Sequence, residues 1–178
     1  SGTTDNPSAS FSLSTSNARM TTASNDTPPV TAECSVEIGG GRLKGTAKGL
    51  FGDAGRGVAN GEIPFVFHLA PLTLSPSDAG ELALSGKGEL ELDSLAQTMG
   101  LVEHHPRGTL LVDFACGGTR LAPVVHGKAE LEDGAYENLS TGTRLQDISL
   151  RLEADASRLV LTRFTARDID VGTVSGKG

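Results

Sequence analysis

The chain has 178 residues, a net charge of −7, 37% hydrophobic and 4% aromatic residues, and no tryptophan. The length suits one or two domains, but so few large apolar groups make a conventional closed core hard to fill. With acid in excess and no run of lysine or arginine, nucleic acid is disfavoured as a partner, as, more weakly, is an anionic membrane surface.

Residues 1–30 form a weakly patterned segment rich in Ser, Thr and Asn, with one short strand expected around Phe11, Leu13 and Met20 and ended by Thr27-Pro28-Pro29. Ser1-Gly2 reads as a cloning scar. No apolar run approaches the roughly 18 residues that span a bilayer, and no signal-peptide pattern opens the chain. The sequence therefore reads as a fragment of a larger protein. Asn25-Asp26-Thr27 and Asn138-Leu139-Ser140 match the glycosylation sequon.

From residue 31 to 178 the pattern is that of strands. Cys34 to Ile38 reads as a strand, Gly39-Gly40-Gly41 as a turn, and Arg42 to Leu50 as a strand. Gly52 to Gly61 reads as a loop, without a phosphate-binding pattern. Ile63, Phe65, Phe67 and Leu69 alternate, and Pro71 and Pro76 bracket Leu72 to Leu74. Leu82 to Leu92 (LALSGKGELEL) then alternates over eleven residues, the mark of a half-buried strand. Its leucines point one way with Gly86 and Gly88 among them; Ser85, Lys87, Glu89 and Glu91 point the other.

Asp93 to Leu101 is the one expected helix, with Ser94 and Gln97 as a capping box and Gly100 as a stop. We expect it to close one end of a sheet. His104-His105 before Pro106 reads as a polar turn. Gly108 to Cys116 is a strand, Gly117-Gly118 a turn, Leu121 to Leu131 a strand and Glu132-Asp133-Gly134 a turn; Tyr136 to Thr143 carries little pattern. Ile148, Leu150 and Leu152 alternate, Asp155-Ala156-Ser157 turns, Leu159 to Thr165 returns, and Thr173 to Gly178 ends the chain.

The Gly-Lys phrase of Leu82–Leu92 recurs. Gly45, Gly86 and Gly127 are spaced by 41 residues and Gly176 follows after 49, the signature of an internal repeat and an extended array. Cys34 and Cys116 each precede an anchor glycine by 11 residues. They read as equivalent, small, buried positions at strand ends. With about four strands per unit they would stand roughly 38 Å apart on a flat sheet, too far to bond.

No Ser/His/Asp order, acid pair or metal-ligand spacing is apparent; His68 and His126 are single strand residues. The expectation is a protein with no catalytic site, no metal and no cofactor. One groove is expected to be lined by Phe65, Phe67, Leu82, Leu84, Leu90, Leu92, Leu110, Val112, Leu121, Val125, Ile148, Leu150 and Leu152. The alternative for these residues is an ordinary sandwich core.

The order of motifs after Gly117 is also informative. Gly118, Thr119, Leu121, Pro123, Gly127, Leu131 and Gly134, with Arg120 inserted, form one phrase. Leu145, Asp147, Ile148, Leu150 and Leu152 form a second. Arg158 to Leu161, Ala166-Arg167, Gly172 and Ser175 to Gly178 form a third, with Lys177 where a small residue is common. In this order they resemble the C-terminal region of the TamB family of translocation and assembly module subunits, in the AsmA-like superfamily. A less specific likeness extends back to Thr31. The resemblance implies an all-β fold, a long β-sheet curled into an apolar groove (a β-taco). It implies a periplasmic place in a diderm bacterium, with an inner-membrane anchor in a segment outside this chain. It implies movement of phospholipid, through its acyl chains, between the membranes, or support of outer-membrane protein assembly with a TamA-like barrel. The competing expectation is a structural or adhesive β-solenoid of a secreted bacterial protein with no lipid cargo.

Overall fold

The structure, a computed structural model, describes residues 2–3, 6–18, 29–69, 72–78, 80–156, 158–168 and 172–178. It is all-β, with one antiparallel sheet of 11 strands that does not close into a barrel and one short helix. β1 (Gly2–Thr3) and β2 (Asn6–Pro7) pair only with each other. The large sheet is a meander. β3 (Ala9–Ala18), β4 (Val30–Gly39), β5 (Arg42–Phe51) and β6 (Gly55–Leu69) follow one another. After β7 (Leu72–Pro76), which pairs with the far end of β6, come β8 (Ala83–Glu91), β9 (His104–Thr119), β10 (Ala122–Asn138), β11 (Arg144–Ala156), β12 (Arg158–Asp168) and β13 (Thr173–Gly176). Each long strand pairs with its predecessor, so turns alone connect most of the sheet. The β4–β5 turn is Gly40-Gly41, with φ of 60° and 68°, the sign that a two-residue hairpin needs at both positions.

The predicted loop Gly52 to Gly61 is instead a short 3-10 turn, Gly52–Ala54, followed by the first half of β6. Gly55, Gly57 and Gly61 share one face with Ala59, so little side chain stands on that face, while the backbone pairs with β5 from Arg56 onward and with β8 from Gly55 onward. The predicted turn at Glu132-Asp133-Gly134 is a bulge inside β10, where register shifts against both neighbours and Asp133 takes φ of 50°. The predicted turn at Gly117-Gly118 lies within β9, and the chain reverses at 120–121. His104 and His105 open β9 rather than forming a turn. β10 continues through Tyr136 to Asn138, a stretch whose apolar alternation the bulge interrupts. Met20, Thr27-Pro28, Asn25 of the first sequon, Pro71 and Ser157 lie outside the described residues.

α1 (Leu92–Thr98) packs against β9 and the 3-10 turn at one end of the sheet, where Ala96 and Ala54 are buried. Its first residue is Leu92, so the predicted strand is two residues shorter, ending at Glu91. The N-cap falls on Glu91 and carries no side-chain cap bond, which displaces the expected capping box from Ser94. The stop is as expected. Gly100 takes φ of 70°, and the N–H groups of Leu101 and Gly100 donate to the carbonyls of Ala96 (3.0 Å) and Gln97 (3.1 Å), the paired bonds of a Schellman motif.

Candidate functional site: one apolar face of an open sheet

In an antiparallel ladder, directly opposite residues share a face. One cross-strand row runs Leu13, Cys34, Ala47, Ala59, Gly86, Phe114, Gly127, Ala154, Leu159, through nine strands. It spans roughly 38 Å at the usual strand spacing. Further rows on this face run Gly55, Leu90, Leu110, Leu131, Leu150, Phe164 and Gly45, Gly61, Leu84, Cys116, Val125. The intervening rows, such as Lys48, Val58, Lys87, Asp113, Lys128, Glu153, place charge on the other face.

The apolar face is not covered as a core is. Among the described residues no large side chain is fully buried, and Leu13 (74%), Phe11 (63%) and Phe114 (41%) stand exposed on it. The accessible surface is 11805 Å². A compact globular monomer of this mass would expose about 8,100 Å².

The register brings together eight of the thirteen predicted groove residues. Leu84, Leu90, Leu110, Val112, Val125, Ile148, Leu150 and Leu152 share this face. Phe65 is buried near the far end of β6, opposite Pro76. Phe67 pairs with Leu74 in the same ladder, and its side chain lies outside the described residues. Leu82 precedes β8, its N–H donating to the Gly118 carbonyl. Two expectations fail. Leu92 belongs to α1, and Leu121 sits in the β9–β10 turn, 72% exposed. The predicted groove omitted Leu131, Phe114 and Phe164, which share the face, although Phe114 alternates with Leu110 and Val112 in the sequence.

The four repeat glycines all lie on this face. Gly86 and Gly127 occupy one row on either side of Phe114, whose ring lies over Gly86: a Cβ there would meet it at 2.5 Å. Gly176 lies likewise beside Phe164. An aromatic ring laid over a strand glycine recovers packing that the glycine lacks. The 41-residue spacing corresponds to two ladder strands, not four: Gly45 is in β5, Gly86 in β8 and Gly127 in β10.

That correction moves the cysteines closer. β4 and β9 are four ladder steps apart, roughly 19 Å. Both thiols are free, as expected, but Cys34 is exposed at mid-strand rather than buried, because none of the described residues covers it. Thiol titration of the unfolded, unreduced chain will find two groups; none would mean that a disulfide forms.

Each face has a hollow, as the saddle shape of a twisted sheet allows. The apolar face carries one of about 330 Å³ between Cys34, Leu43, Ala59, Ile63, Leu84 and Phe114. The charged face carries a larger one, about 630 Å³, with Leu50, Val58 and Leu111 among its apolar lining. Charges on this face form cross-strand pairs: Arg56–Glu89 at 2.5 Å, Lys87–Asp113 at 2.9 Å and Arg151–Glu130 at 3.2 Å. Elsewhere on this face a hydrogen bond from Arg42 lowers the Glu62 pKa. Outside the ladder, Arg120 in the β9–β10 turn does the same for Asp78. Such exposed pairs set strand register more than stability.

One polar cluster ties the β10–β11 turn. The Asn138 carboxamide oxygen accepts from the Ser140 N–H (3.0 Å), the Ser140 hydroxyl (2.8 Å) and the Thr141 N–H (3.0 Å), while its nitrogen donates to the Tyr136 hydroxyl at 3.3 Å. Asn138 is only 9% exposed, so the second sequon is closed to a glycan while the turn is folded. Asn138→Ala should cost about 1–3 kcal/mol by leaving these donors unmet, a drop readable in a thermal melt. Among the described residues, no three His, Cys, Asp or Glu side chains are grouped to hold a metal ion.

No family model, curated protein or solved structure matches the chain.

Proposed function

We propose that the chain is a segment of a TamB-like protein in the periplasm, and that its open apolar face carries phospholipid acyl chains between the two membranes. The observation that carries this reading is the uncovered apolar face, continuous across nine strands and backed by a face of paired charges. An exposed apolar area of this extent on a folded chain marks a surface that meets something apolar. Strand-centre glycines support it: they leave room beside Phe114 and Phe164 and let the sheet curve. Support of outer-membrane protein assembly, through a TamA-like barrel, would use the same face or the sheet edges. The β-solenoid alternative is less favoured, since stacked rungs pair in parallel and every ladder here is antiparallel. The test is mass spectrometry of an organic extract of the purified chain, together with uptake of fluorescent-acyl phospholipid from vesicles. Bound phospholipid and uptake are expected; a clean extract with no uptake would end the reading.

A further inference from the structure

Outside the open face, one end of the sheet carries exposed apolar side chains in tight turns. Met99 (65%), Leu101 and Val102 (77%) stand exposed between α1 and β9, and Leu139 (59%) between β10 and β11. The two turns are neighbours, since the Leu139 N–H donates to the Glu103 carbonyl at 3.0 Å. In the first, the N–H groups of Met99, Gly100, Leu101 and Val102 donate to the carbonyls of Leu95, Gln97, Ala96 and Gly100, at 2.9–3.1 Å. In the second, those of Asn138 and Gly142 donate to the carbonyls of Thr143 and Asn138, both at 2.9 Å. The Asn138 side chain takes those of Ser140 and Thr141. Every N–H from Met99 to Val102 and from Asn138 to Gly142 therefore has a partner inside the chain. At an aqueous surface water would serve such groups; only a medium without hydrogen-bonding partners demands that they be met internally.

We propose that these two turns form a membrane-contact tip, which enters the headgroup–acyl boundary of a zwitterionic phospholipid bilayer. There the exposed Met99, Val102 and Leu139 side chains gain by leaving water, and the backbone donors, already bonded, lose nothing. A protein partner would ask for about one hydrogen bond per 100–200 Å² of interface, and these donors are taken. Residues 99–103 and 139–143 contain no Lys or Arg, so nothing in the turns selects an anionic surface. The tip uses none of the residues of the open face, so it and the carriage of acyl chains can fail separately.

The chain has no tryptophan, so Val102→Trp introduces a single fluorescent reporter at an exposed position. The full chain is mixed with phosphatidylcholine vesicles whose acyl chains are brominated, at about 1 mM lipid, roughly tenfold above the dissociation constant of a single myristoyl chain. A blue shift and quenching are expected. Val124→Trp, on the charged face near the opposite end of β10, should stay unquenched. Adding Leu139→Asp to Val102→Trp should weaken vesicle binding at least about tenfold, since the carboxylate must shed water to enter. Adding Leu13→Asp instead, on the open face, should leave the quenching intact. A reporter at Val102 that is neither shifted nor quenched overturns the proposal and leaves the turns to a protein partner. So does quenching that survives Leu139→Asp unchanged, or equal quenching at Val124. Quenching abolished by Leu13→Asp would mean that the open face, not the tip, meets the bilayer.

Discussion

Gly108→Ala is expected to destabilise the chain by about 3 kcal/mol, a large share of the margin of an ordinary domain. Gly108 takes φ of +114° opposite the bulge in β10. A Cβ there would stand 2.7 Å from the carbonyl oxygen of Glu132, 2.9 Å from Cα of Gly134 and 3.1 Å from the carbonyl oxygen of Asp133. All three are backbone atoms of a strand paired on both sides, so none can yield without moving the β9–β10 or β10–β11 register. Gly142 is the matched control: it has φ of +71° with nothing within 4 Å of its missing Cβ. Gly142→Ala should therefore cost only the left-handed term, roughly 1–2 kcal/mol. Urea melts read both, as a fall in midpoint at constant slope. Equal costs would mean that the bulge is pliable and its register not fixed by Gly108.

The bulge also explains much of what the sequence hides. Strict alternation is legible where strands are regular, as in Ala83–Glu91 and across Ile148 to Leu152, and those residues do share a face. One extra residue in β10 between Glu132 and Ala135 breaks the period in mid-strand, so a 17-residue strand reads as a short strand, a turn and a patternless stretch. The first half of β6 fails for a different reason: its face-defining positions are glycines, which carry no hydropathy, and glycine clusters ordinarily signal a loop. Leu92 shows a third limit. Its alternation fits the strand before it and the helix after it equally, and only the packing of α1 against β9 and the 3-10 turn decides. Phe114, Leu131 and Phe164 were legible as apolar, but knowing which strands neighbour which was needed to place them in one row with Gly86 or Leu90.

Leu90→Asp separates an open face from a closed core, and for the proposed function it has the largest expected effect. Leu90 lies half-buried between Gly55 and Leu110, in the row that continues to Leu131 and Leu150. In a closed core the carboxylate would be stranded without water and would cost several kcal/mol, enough to unfold a marginal domain. On this uncovered face it can turn to solvent. The loss is then part of the leucine's burial, about 1–2 kcal/mol, and the melting temperature should fall by roughly 2–8 °C. Lipid binding should suffer far more, since an acyl chain laid over the row must desolvate the charge, and each tenfold loss in binding takes only about 1.4 kcal/mol. A photoreactive probe at Val112, one strand over on the same face, should lose at least about tenfold of its phospholipid crosslinking on that arithmetic. Leu111→Asp is the face control. Leu111 points to the charged side, opposite Glu89 and Glu130, so crosslinking from Val112 should persist. A folded Leu90→Asp chain that crosslinks as well as its parent removes acyl chains from this face. A chain that unfolds places Leu90 in a covered core, and the apolar rows then hold the fold together rather than carry a ligand.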